Sequence, residues 1–261
     1  MKWELKKYDI KYLTKKSSEF SKSKLITRLL LNRGIDTRKK VEKFLNTSEN
    51  DLLDPFLFEN MEKVVERIKV AKLKKEKIVI YGDYDVDGIS GVAYLVIMLR
   101  KLGLNIDYYI PNRVHEGFGI NRSTLNFLKR RDTKLFITVD ISINSREEIM
   151  LLKKNGIDII VTDHHRQTTI CDEMEILTIN PKISKSYPNK YLSGAGVAFK
   201  VACAIYERFG MSKKILYDYL DIVMIGTVAD VVPMTDENRF IIKKGLNNLK
   251  KTKIKGLKYI I

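Results

Sequence analysis

From Leu25 to Leu45 apolar residues recur at helical spacing with a break at Gly34, which predicts two short helices. Ahead of them, residues 1–24 alternate short polar and basic patches and predict a loosely packed leader. Asp54-Pro55 marks a turn. Asn60 to Lys75 then sets Met61, Val64, Val65, Ile68 and Val70-Ala71 between charges, the pattern of an amphipathic helix. At Lys77 the period changes. Lys77 to Gly82 is a short apolar run ending in glycine, which predicts a buried strand. Further strands are predicted over Asn105 to Ile110, Leu135 to Val139, Ile157 to Val161 and Ile176 to Ile179. Helices are predicted between them over Ile89 to Leu102, over Asn121 to Arg131 with Asn121 or Ser123 as cap, and over Ser145 to Lys154. Gly196 to Phe209 and Ser212 to Tyr219 also read as helical. Such alternation predicts an α/β fold: an open, mostly parallel sheet with helices on both faces, preceded by a small helical N-terminal segment. The expected organisation is a basic helical segment over 1–76, an α/β domain over 77–240, and the start of a basic helical connector over 241–261.

Composition narrows the class. The chain has 261 residues, 44% hydrophobic and 31% charged, ordinary for a globular protein with a core. No run approaches the roughly 18 apolar residues that cross a bilayer, and no apolar segment follows the N-terminus that could act as a secretion signal. The two cysteines, Cys171 and Cys203, lie far apart without metal-type spacing, so a disulfide framework is not expected and a cytoplasmic setting is. The net charge of +16 is uneven: the middle of the chain is slightly acidic, while Arg239 to Ile261 holds eight basic residues and no acidic one. Basic flanks around an acidic centre suit a polyanion steered towards a cation-filled site. They equally suit solvated lysine faces.

The acidic residues fall where predicted strands end. Asp83, Asp85 and Asp87 follow the first strand in Tyr81-Gly82-Asp83-Tyr84-Asp85-Val86-Asp87-Gly88. Asp140 follows the third strand, and Asp163-His164-His165 follow the fourth. Ligands of open parallel sheets bind outside the carboxyl ends of the strands, so separate segments deliver carboxylates and imidazoles to one edge. Asp230 lies alone in the apolar run Gly226 to Pro233. Clustered carboxylates need cations. Aspartate oxygens with imidazole nitrogens, and no cysteine, favour Mn²⁺, Mg²⁺ or Zn²⁺-type ions over a structural zinc site. Two such ions would activate water and clamp a phosphoryl group. Asp-x-Asp-x-Asp-Gly is also part of a calcium loop, but the glutamate that loop needs at position twelve is Tyr94 here.

The strings YGDYDVDG, ITVD, DHH and GTVADVVP together resemble the four signature motifs of the DHH phosphoesterases, and the RecJ-like single-strand DNA exonucleases among them most of all. The similarity runs from about residue 25 and includes Pro111-Asn112-Arg113 with Glu116-Gly117-Phe118-Gly119, Asn180-Pro181-Lys182 and Gly194-Ala195-Gly196-Val197-Ala198-Phe199-Lys200. The resemblance implies that Asp85, Asp87, Asp140, His164 and Asp230 ligate two divalent metal ions, Mn²⁺ or Mg²⁺, with Asp140 as the bridging carboxylate. It implies that His165 contacts the scissile phosphate, that Asp83 supports the site or joins it as an occasional ligand, and that Arg113 binds a substrate phosphate. Residues 77–240 would then be the DHH catalytic domain of a metal-dependent phosphodiesterase. It would hydrolyse single-stranded DNA from an end, in DNA repair and recombination. The expected form is a monomer, with a single-strand-binding protein or a helicase as further partners. The alternatives are a phosphodiesterase for short oligonucleotides or cyclic dinucleotides, and a non-catalytic DHH scaffold that binds DNA. Two positions depart from the family pattern: Tyr81 stands where many relatives have histidine, and Ile141-Ser142 where RecJ-like proteins usually have Cys-Gly. RecJ-like enzymes also continue into a second α/β domain and an oligonucleotide-binding barrel, so a truncated chain is expected.

Overall fold

The computed structural model describes residues 5–116, 120, 122–143, 146–166 and 170–261. The Gly117-Phe118-Gly119 string, the cap at Asn121 and the helix start at Ser145 lie outside these residues. The chain forms two compact units, Met1–Asp51 and Leu52–Ile261. Among the described residues no helix is long and apolar enough to cross a membrane.

The first unit holds α1 (Ile10–Phe20), α2 (Lys24–Asn32) and α3 (Arg38–Leu45). Their N-caps are Asp9, Ser23 and Thr37, whose side-chain oxygens accept from Tyr12, Ile26 and Lys40 N–H. The expectation of a loose leader is corrected here. Leu13 and Phe20 of α1 are buried with Leu30, Leu31 and Val41. Two apolar residues seven apart, separated by lysines and serines, are a thin signal. They suffice because α2 and α3 supply the opposite wall.

In the second unit α4 (Met61–Leu73) precedes β1 (Lys77–Gly82), α5 (Val86–Lys101), β2 (Asn105–Tyr109), α6 (Arg122–Arg130), β3 (Thr133–Val139), α7 (Arg146–Lys154), β4 (Asp158–Thr162), α8 (Ile170–Glu173) and β5 (Leu177–Ile179). There follow α9 (Gly194–Arg208), α10 (Lys214–Asp218), α11 (Leu220–Ala229), α12 (Asp236–Leu249) and α13 (Lys255–Ile260). The five strands pair in the order β2-β1-β3-β4-β5, and every pairing is parallel. Alternate residues of each strand enter two different cores. Ile78, Ile80, Leu135 and Ile137 join Val65, Leu95 and Val201 of α4, α5 and α9. Val79, Tyr81, Phe136 and Val161 join Leu128, Ile149 and Leu152 of α6 and α7. Helices therefore cover both faces, which is why the strands read as unbroken apolar runs.

Two neighbours of β1, one on each side, make β1 and β3 the point where strand order reverses. That is where the crevice at the carboxyl edge of such a sheet opens. The register puts Gly82 beside Val139, Val139 beside Thr162, and Thr162 beside Ile179. Asp83, Asp140, Asp163 and Asn180 are consequently the first residues past the sheet on four adjacent strands. Gly226 to Ala229 turns out to be the last turn of α11, with Asp230 as its C-cap.

A buried ion pair ties the helical side together. Lys200 of α9 and Glu237 of α12 are each 1% exposed or less and 2.7 Å apart. Lys200 Nζ also donates to the Leu53 carbonyl. Glu237 accepts from Leu53 N–H at 3.0 Å, from the Tyr187 hydroxyl and from Asn189 Nδ2 at 3.3 Å. Removing one member of such a pair leaves the other charge buried and unmatched, at a cost of about 3–5 kcal/mol. Glu237→Ala is therefore expected to lower the urea-unfolding free energy by that amount. A loss under about 1 kcal/mol would mean that Lys200 escapes to water instead.

Candidate metal centre

Each carboxylate at the sheet edge is held by the backbone that delivers it. Asp85 ends the loop after β1 and caps α5, its Oδ1 accepting from Gly88 N–H at 2.9 Å. Asp87 lies in the first turn of α5 and is 1% exposed; its Oδ2 accepts from Gly194 N–H at 2.6 Å and its Oδ1 from Ala195 N–H at 3.0 Å, both at the start of α9. Asp140 leaves β3 with φ +61°, a left-handed backbone that aspartate adopts more readily than most residues. Its N–H donates to the Thr162 carbonyl at 2.9 Å, and its side chain is buried. Asp230 reaches in from the end of α11.

Among the described residues two groups of potential ligands result: Asp140, His164 and His165, and Asp87, His164 and Asp230. His164 Nε2 belongs to both, at 3.1 Å from Asp140 Oδ1, 3.6 Å from Asp230 Oδ2 and 3.8 Å from Asp87 Oδ2. His165 Nδ1 lies 2.9 Å from Asp163 Oδ1 and 3.8 Å from Asp140 Oδ1. The structure thus brings together Asp87, Asp140, His164, His165 and Asp230. Asp85 and Asp83 fall outside these two groups, although the charge of Asp85 is felt at both Asp83 and Asp140. Arg113 is exposed, with its guanidinium 5.3 Å from the centre of the Tyr84 ring, and its charge reaches Asp83.

The electrostatics are those of a site built for cations. Burial, reinforced by Asp87, pushes the Asp140 carboxyl up to about 9. Burial also raises Asp87 and lowers His164. The hydrogen bond to Asp163 does the reverse for His165, raising it to about 9, while Asp163, despite its burial, is held below the usual carboxylate range by that imidazole. His165 therefore presents a positive charge beside the cluster at neutral pH.

Among the described residues, Asp140 Oδ1 and both ring nitrogens of His164 are buried without a hydrogen-bond partner; the 3.1 Å approach between them is not aligned as one. Buried acceptors left open in this way cost free energy unless something else engages them. An oxygen–nitrogen donor set with converging open lone pairs fits a divalent ion of the Mn²⁺ or Mg²⁺ kind.

Sequence reasoning left two features unassigned. Asp163 was the unused member of its triplet, yet in an extended segment residues two apart point the same way, which is the signal that pairs it with His165. The amides of Gly194 and Ala195 carry no side-chain signal. The only hint was a run of small residues where backbone could come close.

The RecJ single-stranded-DNA-specific exonuclease of Bacillus subtilis (strain 168) is 37% identical over 261 residues, which is 100% of this chain and 32% of that protein. Its counterpart in Escherichia coli (strain K12) is 32% identical over 249 residues, 91% of this chain and 42% of that one. The chain spans between about a third and two fifths of the length of the curated relatives it matches. Among solved structures, an exonuclease RecJ bound to manganese superposes with a TM-score of 0.70 at 31% identity, over 79% of this chain and 52% of that one. RecJ of Thermus thermophilus in complex with Mn²⁺ superposes with a TM-score of 0.77 at 27% identity, over 98% and 36%. Residues 77–227, over half of the chain and all of the sheet edge except Asp230, match the DHH family, N-terminal domain, and the chain belongs to that family.

Proposed function

We propose that this chain carries the catalytic centre of a RecJ-like exonuclease, a metal-dependent phosphodiesterase that hydrolyses single-stranded DNA from an end. The observation that carries the reading is the pair of ligand groups sharing His164, with its unpartnered buried atoms, at the switch point of a DHH-family sheet. Asp85, Asp87, Asp140, His164 and Asp230 would hold two divalent ions, Mn²⁺ or Mg²⁺, with Asp140 between them. Bound there, the ions would supply an activated water and charge stabilisation at the phosphoryl group.

The chain's own residues do the rest. Asp163 fixes the His165 ring through Nδ1 and keeps it cationic, which suits contact with a scissile phosphate. Arg113, resting on Tyr84, offers a second cation for a neighbouring phosphate. Asp83 accepts from Tyr84 N–H at 2.6 Å and so steadies the loop that carries Tyr84 and Asp85. By the same reading the protein works in DNA repair and recombination in the cytoplasm as a monomer, alongside a single-strand-binding protein or a helicase.

Cleavage of an end-labelled single strand is compared with cleavage of a dinucleotide, both with Mn²⁺ present. Shortening of the strand from one end is the expected result. Preference for the dinucleotide would assign a small-substrate phosphodiesterase, and no cleavage of either a non-catalytic scaffold. Asp140→Ala should fold normally and lose more than about 100-fold in turnover, beyond what loss of an outer-sphere group costs. Near-wild-type turnover of this variant in Mn²⁺ would remove Asp140 from the metal assignment.

Binding of single-stranded DNA should weaken linearly in log affinity against log salt, since each neutralised phosphate releases counterions. Affinity that stays flat between low and moderate salt would count against a nucleic-acid substrate.

A further inference from the structure

The first residues of α9 touch three of the four segments that build the site. Gly194 and Ala195 donate their N–H groups to the two oxygens of Asp87, so one helix end fixes both the position and the plane of that carboxylate. Gly194 does so from a backbone conformation open to any residue; what excludes a side chain there is space. A Cβ on Gly194 would sit 2.5 Å from Asp140 Cβ and 2.6 Å from its Cγ and Oδ1. A Cβ on Gly226, in α11, would meet Asp87 Oδ1 at 2.6 Å and Ala195 Cβ at 2.9 Å.

The helix end is itself locked. Ser193 caps α9, its Oγ accepting from Gly196 N–H at 3.1 Å, and stands 3.2 Å from Thr227 Oγ1. Thr227 gives its one hydroxyl proton to the Val223 carbonyl at 2.8 Å. The proton between the two hydroxyls must then come from Ser193. A directed chain runs from Gly196 N–H through Ser193 and Thr227 to Val223, with both hydroxyls fully buried. Thr227 lies three residues before Asp230, so the chain ties the amides that hold Asp87 to the helix that carries Asp230.

From this we infer that the Ser193–Thr227 hydroxyl pair and the bare Gly194 and Gly226 backbones form one positioning device, which sets the spacing of Asp87, Asp140 and Asp230 and thereby metal affinity without touching the metal. The inference rests on the metal reading above. Supporting groups of this kind, when lost, typically cost 10–100-fold in metal affinity.

The test is calorimetric titration of Mn²⁺ into the full chain after chelator treatment, with circular dichroism and thermal unfolding of each variant alongside. Thr227→Val keeps the shape and removes the relay; its Mn²⁺ affinity should fall about 10-fold or more. Thr227→Ser restores the hydroxyl and should return to within about threefold of wild type. Gly194→Ala forces Asp140 aside and should lose about 100-fold. A folded Thr227→Val that binds Mn²⁺ like wild type overturns the inference, as does a Thr227→Ser as weak as the valine variant, which would make packing the cause. Should Gly194→Ala not fold, the two Thr227 variants decide the matter alone. A wild-type chain that takes up no Mn²⁺ overturns both this inference and the metal reading it rests on, whereas normal wild-type binding with indifferent variants overturns only the former.

Discussion

Holding like charges close together out of water is the constraint that organises this molecule. Asp87, Asp140 and Asp230 each lie within 4 Å of the same imidazole nitrogen. Two unit charges about 4 Å apart repel by roughly 4 kcal/mol at the effective dielectric of a protein surface, and by more where water is excluded. The fold meets that repulsion by aiming helix starts at the site. Asp85 caps α5 and Asp87 sits in its first turn, and Asp87 also receives the first amides of α9. Each helix start contributes the equivalent of about half a positive charge. Asp140 Oδ1 receives no amide among the described residues; there burial wins, and the carboxyl keeps its proton until a cation replaces it.

A site of this kind needs a rigid frame, because the charges would otherwise move apart. Four adjacent strands present Asp83, Asp140, Asp163 and Asn180 on consecutive rungs, so their spacing is fixed by the sheet. Asn180 extends the frame by donating from Nδ2 to the His165 carbonyl at 2.8 Å. Loops alone could not keep that register. The α11 helix then brings Asp230 from outside the sheet, which explains why its position depends on packing against α5 and α9 more than on any strand.

Much of this was readable in the sequence, for physical reasons that also explain the gaps. Buried parallel strands are short apolar runs, and carboxylates directly after them stand out, so β1, β3 and β4 and the aspartates that follow them were legible. Asp230 was visible as a lone charge in an apolar run, but only the first half of that run is helix, and a segment so short carries no readable period. The α1 helix was missed because Leu13 and Phe20 are its only buried apolar positions. The capping of α5 by Asp85 was hidden for a different reason. A residue expected to ligate metal is seen to commit one oxygen to a backbone amide.

The two departures from the family pattern resolve differently. Relatives with Cys-Gly after the strand aspartate have a glycine where this chain has Ser142, yet the left-handed backbone falls on Asp140 itself, so the turn does not require that glycine. The turn is pinned instead by Thr138, whose hydroxyl donates to the Ile141 carbonyl at 2.7 Å, and by Ile141 and Ile143, both buried against the α6 and α7 side. Tyr81 is a real change of chemistry. Its ring is fully buried, stacked at 6.0 Å on Tyr109 and tilted against Phe136, and its hydroxyl bonds to Thr124. Burial raises its pKa, so at neutral pH it is a satisfied phenol and supplies no ligand where relatives offer an imidazole. Under the proposed function, the ion on that side must then rely on carboxylates such as Asp85.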